Sequence, residues 1–230
     1  AEAPKDQRFA VLAALTRMRR PACHPVLVHP ESRVPSSKLQ EALSLADDLR
    51  REGHRALVFS QFTSHLRLVR NALEDRGYSV LYLDGSTPAA QRGGLVDRWQ
   101  QGDDDFFLIS LKAGGTGLNL TAADTVIHLD PWWNPAAEDQ ASDRTHRIGQ
   151  DKPVTVVRLV SQDTIEETVM SLHETKHELA HGILEGAERW AELVETLRLR
   201  AASPVPDAMR RSDLVRIAMT QEEALASPAD

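Results

Sequence analysis

Five short runs rich in branched and aromatic apolar residues constrain this 230-residue chain more than any other feature: Ala56–Phe59, Ser79–Leu83, Phe106–Ile109, Thr125–Leu129 and Val154–Val160. Apolar runs of this length, most of them followed by turn residues, read as buried strands. Segments of helical period lie between them: Leu66, Val69 and Leu73 after the first, Leu95, Val96 and Trp99 after the second, and Ala136 to Arg144 after the fourth. Strand, helix, strand in repetition predicts an α/β fold built on a parallel sheet with helices on both faces, since parallel strands need crossover connections.

Around this unit the sequence predicts helical extensions. A helix from about Ser37 to Arg51 has a cap in Ser36 or Ser37, apolar Leu39, Leu43, Ala46 and Leu49, and a stop at Gly53. Asp6 to Arg20 is a second helical stretch, and Pro21 to Pro35, with four prolines, reads as an extended connector. Ile165, Val169, Leu172, Leu179 and Ile183 give residues 163–185 the period of a long amphipathic helix. The expected division is therefore an N-terminal helix and connector over 1–35, the α/β lobe over 36–162, a brace-like helix over 163–186, and a helical extension with a loose tail over 187–230.

Composition narrows the function classes. The formal charge of −7 argues against a broad nucleic-acid-binding surface, because phosphates are neutralised by Lys and Arg. Any such contact must use a local patch, and Arg144, Arg147 and Lys152 lie close together in the chain. Cys23 is the single cysteine, which excludes an internal disulfide, and with only His24 beside it no zinc ligand set is expected. No apolar run approaches the length of a bilayer span and no secretory pattern opens the sequence, so an intracellular protein is expected, in the cytoplasm or nucleoid if bacterial or archaeal.

Ligands of open parallel sheets bind at the carboxyl ends of the strands, and there the sequence places its unusual residues. The runs end in Ser60-Gln61-Phe62-Thr63, in Asp84-Gly85-Ser86-Thr87, in Lys112-Ala113-Gly114-Gly115-Thr116-Gly117, and in Asp130-Pro131-Trp132-Trp133-Asn134-Pro135. Hydroxyls and close-approach glycines suit phosphate oxygens, although the same residue types also make ordinary turns. If the segment 139–150 is helical, Gln140, Arg144 and Arg147 share a face, and two guanidinium groups aimed together suit a phosphoryl group developing charge. A solvated face with an Asp143–Arg147 pair is the alternative. No Gly-x-x-x-x-Gly-Lys-Ser/Thr loop is present, so ATP hydrolysis by this chain alone is not expected.

Taken in order, these strings resemble the second-lobe motifs of the Swi/Snf-like ATPases, within the wider superfamily that includes the DEAD-box helicases. The resemblance runs from Leu15 through Cys23-His24-Pro25, Leu57–Thr63, Tyr82–Thr87, Lys112–Leu120 and Asp130–Pro135 to Gln140–Gln150, and fades after Gly186. It implies a RecA-like lobe that closes on an N-terminal ATPase lobe across ATP and Mg2+, the two lobes gripping double-stranded DNA and driving translocation that remodels or displaces bound protein. By the same resemblance Arg144 and Arg147 stand at the arginine-finger positions, with Gln140 supporting the nucleotide end of their helix. Gly117 and Asn119 stand near the ribose, and Ser60, Gln61, Thr63, Gly85, Ser86 and Lys112 near the DNA backbone. Leu111 departs from the threonine of many relatives. The Leu-Ile-Ser-Leu-Lys-Ala-Gly-Gly string looks bacterial or archaeal, and Trp132 and Trp133 fit equally a DNA-side and a core position. An inert DNA- or protein-binding module on the same fold, or an RNA helicase, are the other functional classes; the Asp-Pro-Trp-Trp-Asn-Pro and His-Arg-Ile-Gly-Gln strings speak against the latter.

Overall fold

The computed structural model describes residues 5–114, 118–145, 152–180 and 215–222. Alternating apolar strands and helices give a sheet in the order β2-β3-β1-β4-β5-β6. The strands are β1 (Ala56–Ser60), β2 (Val80–Leu83), β3 (Phe106–Ser110), β4 (Thr125–His128), β5 (Val154–Ser161) and β6 (Val215–Glu222). The first five are parallel, with Val58 opposite Leu108 and Ile127, so all their carboxyl ends share one edge.

Because side chains alternate along a strand, each buried strand feeds two cores. Ala56, Val58, Phe106, Leu108, Ile127 and Leu129 pack on one face with Ala42, Leu43, Ala46 and Leu49 of α2 (Ser37–Glu52) and Leu66, Val69 and Leu73 of α3 (Thr63–Asp75). Leu57, Phe59, Phe107, Ile109 and Val126 pack on the other with Trp99 of α4 (Ala89–Gln101), Ala113 of α5 (Leu111–Gly114) and Ala141 of α6 (Pro135–Ser142). Helices on both faces of a parallel sheet are the architecture the sequence predicts. Helix α2 also ends as expected: the Ser36 hydroxyl accepts the Leu39 N–H, and Gly53 closes the helix at φ 78°, a left-handed conformation that favours glycine.

The remaining elements depart from expectation in informative ways. Helix α1 (Lys5–Cys23) runs three residues past Arg20 into the expected connector, and Leu15, Arg19 and Cys23 are buried against the lobe. Helix α7 (Ile165–Ala180) covers the start of the expected brace; residues 181–186 lie outside the described ones. The expected helical extension and tail instead supplies β6, which pairs antiparallel with β5 from Val154–Glu222 to Ser161–Val215. Its alternation of Val215, Ile217 and Met219 with Arg216, Ala218 and Thr220 is a strand pattern, and pairing there covers the β5 edge. Among the described residues no helix is long and apolar enough to cross a membrane.

Candidate functional site

Since β1 to β4 are parallel, the loops that follow them lie along one rim in the order set by the sheet: the loop after β2, then β3, β1 and β4. After β2, Asp84 is buried and organises its turn by accepting both the hydroxyl and the N–H of Ser86, the latter at 2.8 Å, the Tyr82 hydroxyl at 2.9 Å and Arg67 at 3.2 Å. Burial pushes this carboxyl up, but those four donors outweigh it and hold it at about 2. Gly85 and Ser86 remain exposed, and a side chain built at Gly85 would meet nothing within 4 Å. The fold itself therefore does not require glycine there.

After β3 the chain makes a single helical turn rather than a loop. Leu111 is half-buried against the second core, which explains an apolar residue at this position, while Lys112 is exposed. Gly117 lies outside the described residues. Asn119 is exposed, and its carbonyl accepts Gln100 of α4 at 3.3 Å.

After β1 and β4 the rim is braced from beneath by Asp130, a residue to which sequence reasoning gave no role. Its carboxylate is fully buried and accepts the Ser60 hydroxyl, the Gln61 N–H at 3.3 Å and the Arg19 guanidinium at 3.5 Å. Burial pushes its pKa up to about 6 against the opposing pull of Arg19 and Ser60. Ser60, expected at the DNA backbone, is thus withdrawn: it is 0% exposed and its proton is committed to Asp130. Gln61 and Thr63 stay partly open beside it. Arg19 also donates to the Pro131 carbonyl and lies 5.6, 5.7 and 5.3 Å from the rings of Phe62, Trp132 and Trp133. The two half-buried tryptophans therefore have an interior partner, a cation held against their rings.

The same interior carries a second ion pair, between fully buried Lys38 and Glu166 of α7. Lys38 donates onward to the Leu159 carbonyl at 3.2 Å, and Glu166 accepts the Ser161 N–H at 2.8 Å. Cys23, His65 and Asp130 place ligand-type atoms within 4.8 Å of one another. Arg19 and Lys38 already balance Asp130 and Glu166, so an added divalent cation would enter a cluster whose charges cancel. Burial drives the Cys23 thiol well above its ordinary range and the His65 imidazole down to about 3, so both are neutral near pH 7. Among the described residues neither ring nitrogen of His65 has a hydrogen-bond partner.

Helix α6 carries Gln140, one of the residues expected to face nucleotide, and leads into Arg144. It stops at Ser142, and the bonds from Arg144 N–H to the Ala141 carbonyl (3.4 Å) and Thr145 N–H to the Ser142 carbonyl (3.0 Å) tighten the chain into a turn. Leu120 N–H claims the Arg144 carbonyl at 3.1 Å. The single helix face expected for Gln140, Arg144 and Arg147 is therefore not formed between the first two. Gln140 is exposed on a surface depression it shares with Asn134, Ala136, Ala137, Asp139 and Asp143, whereas Arg144 is 4% exposed. Arg147 lies outside the described residues.

Residues 37–149 match the helicase conserved C-terminal domain. A solved Sulfolobus solfataricus SWI2/SNF2 ATPase core in complex with dsDNA superposes with a TM-score of 0.69 at 29% identity, over 86% of this chain and 42% of that one. The chain carries the helicase C-terminal domain of a Swi2/Snf2-like ATPase. The chromatin-remodeling ATPase INO80 of Cryptococcus neoformans is 39% identical to this Swi2/Snf2-like chain over 208 residues, 89% of it, and YwqA of Bacillus subtilis is 37% identical over 200 residues, 84% of it. The chain spans 11% of the length of the first and 22% of the second. With a fungal and a bacterial protein at similar identity, the relatives do not support the bacterial or archaeal origin inferred from the sequence. The RecA-like fold expected for this Swi2/Snf2-like lobe is confirmed by the superposition. Lys38, Glu138 and Glu166 are buried charged residues that sequence reasoning passed over, while Arg19 and Asp130, also buried, fell within its motif strings without a role of their own. Burial of so many charges in one lobe is invisible in a pattern that only sorts apolar from polar positions.

Proposed function

We propose that this chain is the second ATPase lobe of an ATP-dependent translocase on double-stranded DNA, inactive in hydrolysis until it closes on a first lobe. The observation that carries this reading is the division of labour at the rim. Gly85, Ser86 and Lys112 are exposed and Gln61 and Thr63 partly exposed on one edge of the sheet, while the charges that hold their loops are buried beneath. Neutral amides and hydroxyls, a glycine with free space above it and one lysine suit a phosphodiester backbone read without base contacts. The dsDNA complex of the Sulfolobus neighbour supports duplex DNA as the partner.

Gln140 and Asn119 present exposed amides that fit the sugar and base side of a nucleotide, and none of the proposed ligands here is an acid that would hold Mg2+. The phosphates and metal then belong to the first lobe, and ATP bound between the lobes supplies the energy of hydrolysis. Arg144 and Arg147 offer fixed positive charge to the phosphoryl group as its charge redistributes, which stabilises the transition state more than the ground state. Residues 36–162 form the working lobe, and α7, which follows it, braces it through Glu166. Remodelling or displacement of DNA-bound protein is the output this motor would serve, inside the cell where its DNA lies.

Lys112→Ala tests the rim assignment. In the two-lobed protein it is expected to weaken duplex binding and to reduce the slope of log affinity against log salt by about one unit. An unaltered slope places Lys112 away from the backbone track.

A further inference from the structure

Glu138 lies on α6, the helix that leads into Arg144, without facing solvent. It is 0% exposed, on a helix of eight residues that is otherwise held at its far end by Ala141, Ser142 and the turn that follows. One carboxylate oxygen accepts the Trp132 N–H at 2.5 Å, and the other accepts Arg158 Nε of β5 at 2.9 Å. Arg158 also reaches Asp139 at 3.7 Å. A carboxylate removed from water survives only when such donors replace its hydration, so its location fixes the spacing of the three pieces that meet on it.

Those pieces are the loop after β4, the strand β5 and helix α6. On the opposite side of Trp132, His173 of α7 donates its Nε2 hydrogen to the Trp132 carbonyl, and the ring lies against Arg19 of α1. Trp132 is thus gripped at its N–H, its carbonyl and its ring by three different helices. At the other end of α6, the Ser142 hydroxyl meets His128 Nε2 at 3.1 Å. Two clamps, one at each end, set where the chain delivers Arg144.

We infer that Glu138 is a positioning residue: by joining the Trp132 N–H to Arg158 it sets the seat of α6 and hence the placement of Arg144 toward the nucleotide. The inference rests on the finger reading proposed above. Glu138 touches no substrate, and its effect reaches the reaction through Arg144. A displacement of about 1 Å at a charge-stabilising group is enough to cost up to a hundredfold in rate.

A double-mutant cycle in the two-lobed protein tests it, with DNA-stimulated ATPase kinetics as the readout. Glu138→Ala is expected to lower kcat by about tenfold or more, while the KM for ATP and the Kd for duplex DNA stay within about twofold. Glu138→Gln keeps an acceptor for Trp132 and is expected to recover most of that loss. In an Arg144→Ala background, Glu138→Ala is expected to cost less than about twofold more, because both changes remove one interaction. Equal losses in both backgrounds, or a rise in KM and Kd together with the fall in kcat, overturn the inference while leaving the finger reading standing. Full kcat in Arg144→Ala alone removes the finger reading for that residue, and the inference falls with it.

Discussion

Alanine in place of Arg147 is expected to lower the maximal ATPase rate of the two-lobed protein by about a hundredfold or more, with duplex affinity nearly unchanged. Arg147 follows Arg144 by three residues in the Gln140–Gln150 string that resembles the finger motif, and it lies beyond the turn that ends α6. A guanidinium that meets the phosphoryl group only as charge develops contributes to kcat and little to ground-state binding. Steady-state hydrolysis with saturating duplex DNA separates the two, and a turnover number close to the parent's would remove the finger assignment. Lysine in its place should recover little, since an ammonium keeps the charge without the planar fork of donors.

The second large effect is on stability. Glu166→Ala leaves the Lys38 ammonium, itself 1% exposed, without its counter-charge, and also strands the Ser161 N–H. Breaking a buried pair from one side costs about 3 to 5 kcal/mol, because the remaining charge stays desolvated. The expected result in thermal unfolding is a fall in Tm on the order of 10 °C for a domain of this size. Replacing both partners, with Lys38→Met and Glu166→Gln, is expected to recover much of the loss, since no charge is then buried and glutamine still accepts from Ser161. A Glu166→Ala protein that melts with the parent would show that water reaches Lys38 and that α7 is not held through this pair.

The parallel sheet was legible because each of its strands is a short, nearly continuous apolar run that alternation divides between two cores, as Leu57 and Val58 do. Strand β6 was not, because it follows a Pro-rich stretch and its alternation of Val215, Ile217 and Met219 with small or polar residues gains meaning only beside β5. The rim was legible for a similar local reason: turn-forming strings after strands mark the ligand edge of such a sheet. What lies beneath it was not. Arg19 and Asp130 stand 111 residues apart, and Glu138 is separated from Arg158 by 20, so no local spacing announces either pair. Ser60 shows the converse error, since its position in a motif suggested a surface contact while the fold uses its hydroxyl to hold Asp130. Helix α6 ends earlier than its period suggests because the Arg144 and Thr145 N–H groups turn to the Ala141 and Ser142 carbonyls three residues back, a tightening that sequence periodicity does not register.

The most direct test of the central claim is ATP hydrolysis by this chain, alone and mixed with a first lobe carrying the phosphate-cradling loop, in the presence of duplex DNA, single-stranded DNA or neither. The split-motor account predicts silence from the chain alone and hydrolysis by the mixture that duplex DNA stimulates most strongly. A reconstituted pair that stays silent with every nucleic acid would contradict it and would leave this lobe as a binding module on a motor fold.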